Sequence, residues 1–393
     1  MNRVAWSDVA HPSPAARIPV LTPQLPTAER LLPYLRKIDA KRVYSNFGPL
    51  ALEFGERLAH HFRLHETGVI VAASGTAALI GAILATAGRA SQDRPLAIVP
   101  AFTFIATAAA VEACGYRIRV ADVDPEDFEL DPDRLLADHD LDGVGLVVPV
   151  GAFGRAVDQE PWTEFRDRTG IAVVIDGAAC FEAVTSSPGR TLGAIPIALS
   201  FHATKSFGVG EGGCALTRDV SLAVRIARAI NFGFFGSRDC QSANTNGKLS
   251  EYHAAVGLAE LDGWADKGRA LLSVAEAYRN ALEGTGLVRH FLAAPQVASC
   301  YSLVRCETGA DAVSLERALA ENGMGFRRWY GGGLHRHSYY SGLEHDALPV
   351  TEQLADTLVG IPTAPDLAAS DIRLIAATLA AALNLAVGPE TCV

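Results

Sequence analysis

The chain has 393 residues and a formal net charge of −10, with 49% hydrophobic and 20% charged residues. This balance is typical of a globular enzyme and excludes a disordered or fibrous protein. The acidic excess is spread along the sequence, which argues against nucleic acid or an anionic membrane as the main partner. A chain of this length predicts two lobes, each with its own core.

Two observations predict a cytoplasmic protein. No basic segment followed by an apolar stretch opens the chain, and no apolar run is long and clean enough to span a bilayer. The seven cysteines are scattered and form no C-x-x-C pair, which favours reduced thiols.

The element pattern predicts an α/β fold. Residues 1–20 are rich in proline and alanine and predict an N-terminal arm. Residues 21–265 predict a large α/β domain, in which apolar runs alternate with helical stretches, and 266–393 predict a smaller α+β domain. Such alternation predicts a mainly parallel sheet covered on both faces. The seven predicted strands are 69–73, 96–100, 117–123, 144–150, 171–176, 198–201 and 214–217. The predicted helices include 76–88, 105–114, 161–169, 250–261, 269–283, 312–322 and 370–385.

The segment 200–213 carries the strongest chemical signal. Lys205, one of only five lysines in the chain, lies there between an apolar run and a glycine-rich turn. A partly desolvated lysine can lose its proton and attack a carbonyl, although a surface lysine in a loop is an equally plausible interpretation. Gly208, Gly210 and Gly213 also match G-x-G-x-x-G formally. Because a strand rather than a helix is predicted after Gly213, we interpret these glycines as a turn and not as an NAD site.

Three further segments place polar or aromatic groups where predicted strands end, which is where open α/β sheets bind ligands. Ser74-Gly75-Thr76-Ala77 turns into a helix whose free amides could hold a phosphate, or it is an ordinary helix start. Asp176 ends an apolar strand and needs a cationic partner, or caps the next helix. Phe102 and Phe104 follow another strand end, and one of them could lie flat against a ring, or both could belong to the core.

The order of these signals, near 75, 104, 176 and 205, resembles the layout of fold type I pyridoxal-phosphate (PLP) enzymes. More narrowly, the chain resembles the DegT/DnrJ/EryC1/StrS (nucleotide-sugar) aminotransferases from about residue 20 to 367. The resemblance rests on segments 45–49, 74–79, 100–107, 122–125, 200–205 with 211–213, and 245–251.

The resemblance implies a set of roles. Lys205 would carry the PLP aldehyde as a Schiff base and later move the proton of the transfer. Asp176 would hold the pyridinium nitrogen, and Phe104 would stack on the ring. The phosphate would be held by Gly75, Thr76, Ala77 and Ser200, and from the neighbouring subunit by Asn246. The last role implies a homodimer with shared active sites.

Two positions depart from the family pattern. Ala179 stands where the family usually has His or Gln, and the segment 149–154 lacks the histidine commonly found before its last glycine. These departures leave the cofactor roles intact but put the acceptor in doubt. The basic, aromatic segment 327–337 could grip a diphosphate or a carboxylate, or be a solvated turn. No metal site is predicted, because His335 and His337 have no further ligand.

The resemblance therefore implies transfer of an amino group from L-glutamate to a keto group of a nucleotide-linked deoxysugar. Four alternatives remain open: transamination of another ketone such as a cyclitol, dehydration of a sugar, a PLP-binding regulator without turnover, and an NAD-dependent dehydrogenase. Family dehydratases carry histidine at the lysine position, so Lys205 argues against dehydration.

Overall fold

The computed structural model describes residues 16–138 and 140–383, so most of the predicted arm lies outside the described residues. The strands are β1 (Val69–Ala72), β2 (Leu96–Pro100), β3 (Arg117–Ala121), β4 (Val144–Val147), β5 (Ala172–Val173), β6 (Ile175–Asp176), β7 (Ile197–Ser200), β8 (Gly213–Leu216), β9 (Phe291–Leu292), β10 (Ser302–Arg305), β11 (Glu344–His345) and β12 (Leu358–Ile361).

The helices cover the sheets and connect their strands, with short 3₁₀ turns between some of them. They are α1 (Ala28–Lys41), α2 (Pro49–His61), α3 (Gly75–Thr86), α4 (Ile105–Ala113), α5 (Pro132–Asp138), α6 (Gln159–Thr169), α7 (Phe181–Ser186), α8 (Pro188–Thr191), α9 (Val220–Ala229), α10 (Glu251–Leu282), α11 (Gly309–Glu321), α12 (Pro349–Thr357) and α13 (Ala369–Ala382).

The main sheet has two parts, ordered β1-β8-β7-β6 and β11-β3-β2-β4-β5. They are continuous, because the Val174 amide donates to Val147 O (3.1 Å) and the Ile175 amide to Pro196 O (2.9 Å). Strand β8 is antiparallel to β1 and β7, and the other pairs are parallel. The mainly parallel sheet is thus confirmed, but the predicted count of seven strands differs. The segment 172–176 is divided at Val174, and the two exposed residues of β11, which carry no apolar signal, add an edge strand.

Both faces of the main sheet are buried. Along β1, Val69 and Val71 pack into one hydrophobic cluster, while Ile70 and Ala72 pack into another on the opposite face. Helices α2 and α10 contribute to the first cluster, and α3, α4 and α9 to the second. This double coverage explains why the strands are nearly continuous apolar runs.

The helices predicted at 250–261 and 269–283 are one continuous helix, α10. Gly263 lies in the interval between the two predicted helices and allows a close contact, because a Cβ there would overlap the guanidinium of Arg30. Arg30 in turn donates to the Ala259 carbonyl at 3.2 Å. The glycine therefore serves packing between α1 and α10 rather than ending a helix.

The C-terminal region forms a second, smaller layer. Strands β12-β10-β9 are antiparallel, and their hydrophobic cluster includes Tyr278 from the end of α10, Leu315 from α11 and Ile375 from α13. Ile18 also belongs to it, and its amide donates to Gly323 O at 3.1 Å, so the predicted arm is attached to this region at its end. Because α10 runs through residue 265, the predicted domain boundary stays a prediction.

Among the residues that the structure describes, no helix is both long enough and apolar enough to cross a membrane.

Candidate active site

A cavity of about 650 Å³ lies at the carboxyl ends of the parallel strands. Six of the eight predicted site residues line it: Gly75, Thr76, Phe104, Asp176, Ser200 and Lys205. The other two, Ala77 and Asn246, do not. The sheet therefore brings together residues up to 130 positions apart, as its strand order requires (205 − 75 = 130).

A second cavity is larger, about 950 Å³, and is lined by carboxylates of the segment 124–133 and by the turn 294–299. It contains no lysine and none of the eight predicted residues. Because chemistry rather than size defines an active site, the smaller cavity is the candidate.

The start of α3 forms one end of the candidate site. The Ser74 hydroxyl caps this helix by accepting from the Ala77 amide at 3.0 Å. Contrary to the sequence-based expectation, the Ala77 amide is therefore not free. The Gly75 and Thr76 amides have no acceptor among the described residues, so they are free to receive an anion at the start of this 12-residue helix.

Two glycines allow strand ends to pack directly against this helix start. A Cβ on Gly75 would lie 2.6 Å from the Cβ of Ser200, and a Cβ on Gly213 would lie 2.6 Å from the Gly75 nitrogen. Ser200 ends β7 and Gly213 begins β8, so both strands abut the anion-binding amides. Because Gly213 opens a strand and not a helix, the formal dinucleotide motif has no matching structure.

Asp176, at the end of β6, is only 6% exposed. Its carboxylate accepts from the Thr107 hydroxyl at 2.7 Å and from the Ala178 amide at 3.0 Å. Burial raises the pKa of Asp176, although these two hydrogen bonds and the charge of Lys205 act in the opposite direction. Asp176 does not cap the next helix, because α7 begins only after Cys180. The alternative of a helix cap is therefore wrong.

Lys205 lies in the turn between β7 and β8. The turn is closed by hydrogen bonds from the Phe201 amide to Gly212 O and from the Val209 amide to Phe201 O, both 2.8 Å. Phe201 and Phe207 are fully buried beneath it. The partly buried Lys205 side chain lines the cavity and its Nζ donates to the Tyr301 hydroxyl at 3.0 Å. The alternative of a solvated surface lysine is therefore wrong.

Phe104 is 58% exposed and lines the cavity at the start of α4, whereas its neighbour Phe102 is 2% exposed. The core alternative for Phe104 is therefore wrong. An apolar ring held at the wall of a cavity suits the flat face of an aromatic ligand.

Tyr301, in the wall opposite the sheet, follows the turn 294–299, and no sequence motif marks it. The segment 327–337 offers two arginines, Arg327 and Arg328, and the structure separates them. The Arg328 guanidinium donates hydrogen bonds to the Glu316 carboxylate at 2.6 Å and to Ala355 O at 2.7 Å. Arg327 is exposed and forms no ion pair with any described residue; its guanidinium lies 5.0 Å from the centre of the Trp329 ring.

Asn246 lies outside the cavity of its own chain. Its side-chain oxygen accepts from Lys248 Nζ at 2.6 Å, and the residue is exposed. An exposed position is compatible with a role toward a second subunit, which stays a prediction.

The two positions that depart from the family pattern, Ala179 and Phe153 (the residue before Gly154), lie close together. Phe153 is buried and stacks on Tyr330, with 4.5 Å between ring centres and 17° between planes. Ala179 packs against the same aromatic cluster. This side of the cavity is therefore apolar.

The residues present fit PLP. Two free amides at a helix start suit its phosphate. A buried carboxylate that forms no ion pair with any described residue suits its pyridine nitrogen, and an exposed ring and a lysine suit its ring face and its aldehyde. The fold and this constellation define the chain as a PLP enzyme of fold type I.

Comparison with known proteins assigns the family. The model of the DegT/DnrJ/EryC1/StrS aminotransferase family matches residues 27–380. The chain is 31% identical to protein Rv3402c of Mycobacterium tuberculosis over 92% of its length and 89% of that protein. It is 27% identical to the Escherichia coli dTDP-4-amino-4,6-dideoxy-D-glucose transaminase over 89% of its length and 94% of that protein.

Solved structures agree. The chain matches DesI, solved in the presence of its TDP-sugar product, with a TM-score of 0.81 and 30% identity over 94% of this chain and 95% of that one. A PLP-dependent aminotransferase of Bacillus cereus ATCC 10987, described as putative, matches with a TM-score of 0.80 and 26% identity over 92% and 99%. The chain belongs to the DegT/DnrJ/EryC1/StrS family and is a PLP-dependent aminotransferase.

Proposed function

We propose that this enzyme transfers an amino group from L-glutamate to a keto group of a nucleotide-linked deoxysugar. The observation that carries the proposal is the placement of Lys205 and the buried Asp176 in one cavity with a free helix N-terminus. The names of the relatives, a dTDP-sugar transaminase and a structure holding a TDP-sugar, support the substrate class.

Each residue of the sheet wall has a task in this proposal. Bound PLP supplies an electron-withdrawing ring that stabilises negative charge on the carbon beside the transferred nitrogen. Lys205 Nζ would hold the cofactor through its aldehyde and, when free, would move a proton. The Asp176 carboxylate would keep the proton at the ring nitrogen, and the amides of Gly75 and Thr76, with Ser200, would bind the phosphate.

The opposite wall meets the substrate. Of the two arginines that line this wall, Arg327 is the one that forms no ion pair with a described residue, and its guanidinium lies against the Trp329 ring. A planar guanidinium binds phosphate oxygens in pairs, which suits the diphosphate of a nucleotide sugar. We assign this contact to Arg327 rather than Arg328, which Glu316 already neutralises.

The proposal includes a cytoplasmic homodimer. Asn246 would reach the phosphate of the neighbouring subunit, since it is exposed and lies outside its own cavity. The active sites would then be shared between subunits.

The proposal is tested by measuring 2-oxoglutarate, the keto acid that remains when L-glutamate gives up its amino group. Purified enzyme with PLP and L-glutamate is given keto-deoxysugars linked to dTDP or UDP, the same sugars without nucleotide, and a cyclitol ketone, and 2-oxoglutarate is measured. We expect repeated turnover with a nucleotide-linked sugar and none with Lys205→Ala, while Lys37→Ala, at an exposed ion pair with Glu53, turns over normally. Turnover with the cyclitol or the free sugar alone would contradict the substrate class.

A further inference from the structure

Among the residues that the structure describes, Tyr301 is the one group hydrogen-bonded to the Lys205 amine, at 3.0 Å. It comes from the C-terminal part of the chain, whereas Lys205 belongs to the main sheet. The tyrosine is 7% exposed, and its ring is held edge-on by Phe153 and Trp329, with ring centres 5.5 Å and 5.2 Å away. Its hydroxyl is thus fixed against the amine by packing.

Small residues bring this tyrosine to the lysine. A Cβ on Gly154 would lie 2.5 Å from both the Ala179 carbonyl oxygen and the Ala298 Cβ. The Ala298 amide donates to Phe153 O at 2.7 Å, and the Tyr301 amide donates to Ala298 O at 2.9 Å. The turn that carries Tyr301 therefore rests on Phe153 and Gly154, which in turn pack against the turn that follows Asp176.

A single carboxylate ties together the neighbours of both groups. Glu182 accepts from the Ser206 hydroxyl at 2.8 Å, directly after Lys205, and from the Ser299 hydroxyl at 2.5 Å, two residues before Tyr301. It also accepts from the Ser299 amide at 3.2 Å. Glu182 thereby connects the main sheet with the C-terminal wall at the position of the reacting amine.

The protonation state of the tyrosine suits this contact. Burial raises the pKa of Tyr301 well above its ordinary value, and the nearby Cys300, Glu182 and Cys180 add to this effect. The phenol is therefore neutral at physiological pH. A neutral hydroxyl accepts a hydrogen bond from an ammonium group and donates one to a neutral amine.

We propose that Tyr301 is a further catalytic residue of this aminotransferase, which orients Lys205 Nζ and changes hydrogen-bond direction each time the amine gains or loses a proton. Glu182 is its positioning residue. No proton leaves the tyrosine for good: the hydroxyl accepts from the ammonium and donates to the neutral amine. The inference rests on the proposed function through the role of Lys205.

The test uses enzyme stripped of cofactor. PLP is added, the mixture is quenched with borohydride at short times, and the adduct on Lys205 is quantified by peptide mass spectrometry, with the other four lysines as internal references. Tyr301→Phe keeps the ring and its packing. We expect it to form the Lys205 adduct about 10- to 100-fold more slowly and to lose kcat similarly, with KM for glutamate within about twofold.

Tyr278→Phe is the matched control, because its buried hydroxyl donates to Pro362 O at 2.7 Å, outside the cavity. It should lower the melting temperature without slowing the adduct. Equal adduct rates in Tyr301→Phe and the parent enzyme would overturn the inference and leave the aminotransferase proposal standing. An adduct in the parent enzyme without any transamination would instead overturn the proposed function, and the Tyr301 comparison would still be readable.

A double-mutant cycle tests the role of Glu182. Glu182→Ala should slow adduct formation less than Tyr301→Phe, and the double variant should lose less than the product of the two single losses. Fully multiplicative losses would show that Glu182 acts independently of Tyr301 and would overturn its positioning role.

Discussion

The two walls of the candidate cavity are built in different ways. The sheet wall, with Gly75, Asp176 and Lys205, is made of strand ends and a helix start, where backbone geometry and close packing set every position. The opposite wall, with Tyr301 and Arg327, is made of long side chains on irregular segments beyond residue 298. The rigid wall can serve a cofactor that is the same for every substrate, while the second wall can differ with the acceptor.

The comparison also explains where the family departures fall. Ala179 and Phe153 lie at the junction of the two walls and pack with the aromatic cluster that contains Tyr301. A change there leaves the anion-binding amides and the carboxylate in place. We therefore expect variants of the sheet wall, and of Tyr301 because it contacts Lys205, to affect all substrates alike. Variants of Arg327 should be selective for the acceptor.

The largest expected effect is that of Lys205→Arg. Arginine keeps the positive charge but stays protonated, so it cannot bond to the cofactor aldehyde. We expect no borohydride-trapped adduct at this position and a turnover at least about 10³-fold lower for every substrate. Lys37→Arg, at an exposed ion pair, is the control. Measurable turnover in the Lys205 variant above this level would break the distinction between the walls.

Asp176→Asn should lower turnover about 10²- to 10³-fold, because the group opposite the cofactor's ring nitrogen loses its charge.

The same substitution should stabilise the cofactor-free protein, because the variant no longer buries a charged carboxylate. Burial raises the pKa of Asp176, so the folded state holds this proton more tightly than the unfolded chain. The protonated carboxyl group therefore adds to the free energy of unfolding when the pH is below the pKa of Asp176 in the unfolded chain. This contribution is lost as the pH rises through the higher pKa of Asp176 in the folded protein.

Urea unfolding of cofactor-free protein, followed from the ordinary pKa of an aspartate (about 3.9) to higher pH, measures this loss. We expect the free energy of unfolding to fall less steeply with rising pH in Asp176→Asn than in the parent. Asp142→Asn, at an exposed position, should follow the parent curve. Parallel curves for the Asp176 variant and the parent would contradict a buried, costly carboxylate.

The smallest and most selective effect is expected for Arg327→Ala. Loss of a charge-assisted contact should raise KM for the nucleotide-linked acceptor about tenfold, with the glutamate half-reaction within about twofold. Arg317→Ala, exposed on α11, is the control. A similar loss for glutamate alone would show that this wall serves the amino donor, and would remove the division of tasks proposed here.

Much of the sheet wall could be predicted from the sequence, because its chemistry follows short local patterns. An apolar strand that ends in an acid marks Asp176, a Ser-Gly-Thr turn before a helix marks the anion site, and a rare lysine before glycines marks Lys205. The Ala77 amide shows the limit of such reasoning. Whether it is free depends on the rotamer of Ser74, which the sequence does not specify.

The second wall could not be predicted in the same way. Tyr301 has no neighbouring motif and lies 96 residues from the amine that it contacts (301 − 205 = 96). Its placement depends on Gly154, Ala179 and Ala298, whose small size matters only once two turns meet. The prediction of two helices in place of α10 was wrong for a similar reason. Gly263 makes room for the Arg30 side chain of another helix, and α10 continues through it.

The amino-acid sequence by itself determined the strand-helix alternation and the mainly parallel sheet, because periodicity is a local property. Its resemblance to the family, rather than periodicity, pointed to Lys205 and Asp176 as the amine and the acid. Only the tertiary structure decided which arginine is unpaired, which amides are free and which hydroxyl contacts Lys205. Those outcomes depend on which side chains compete for the same partner, and that competition arises only when distant segments pack together.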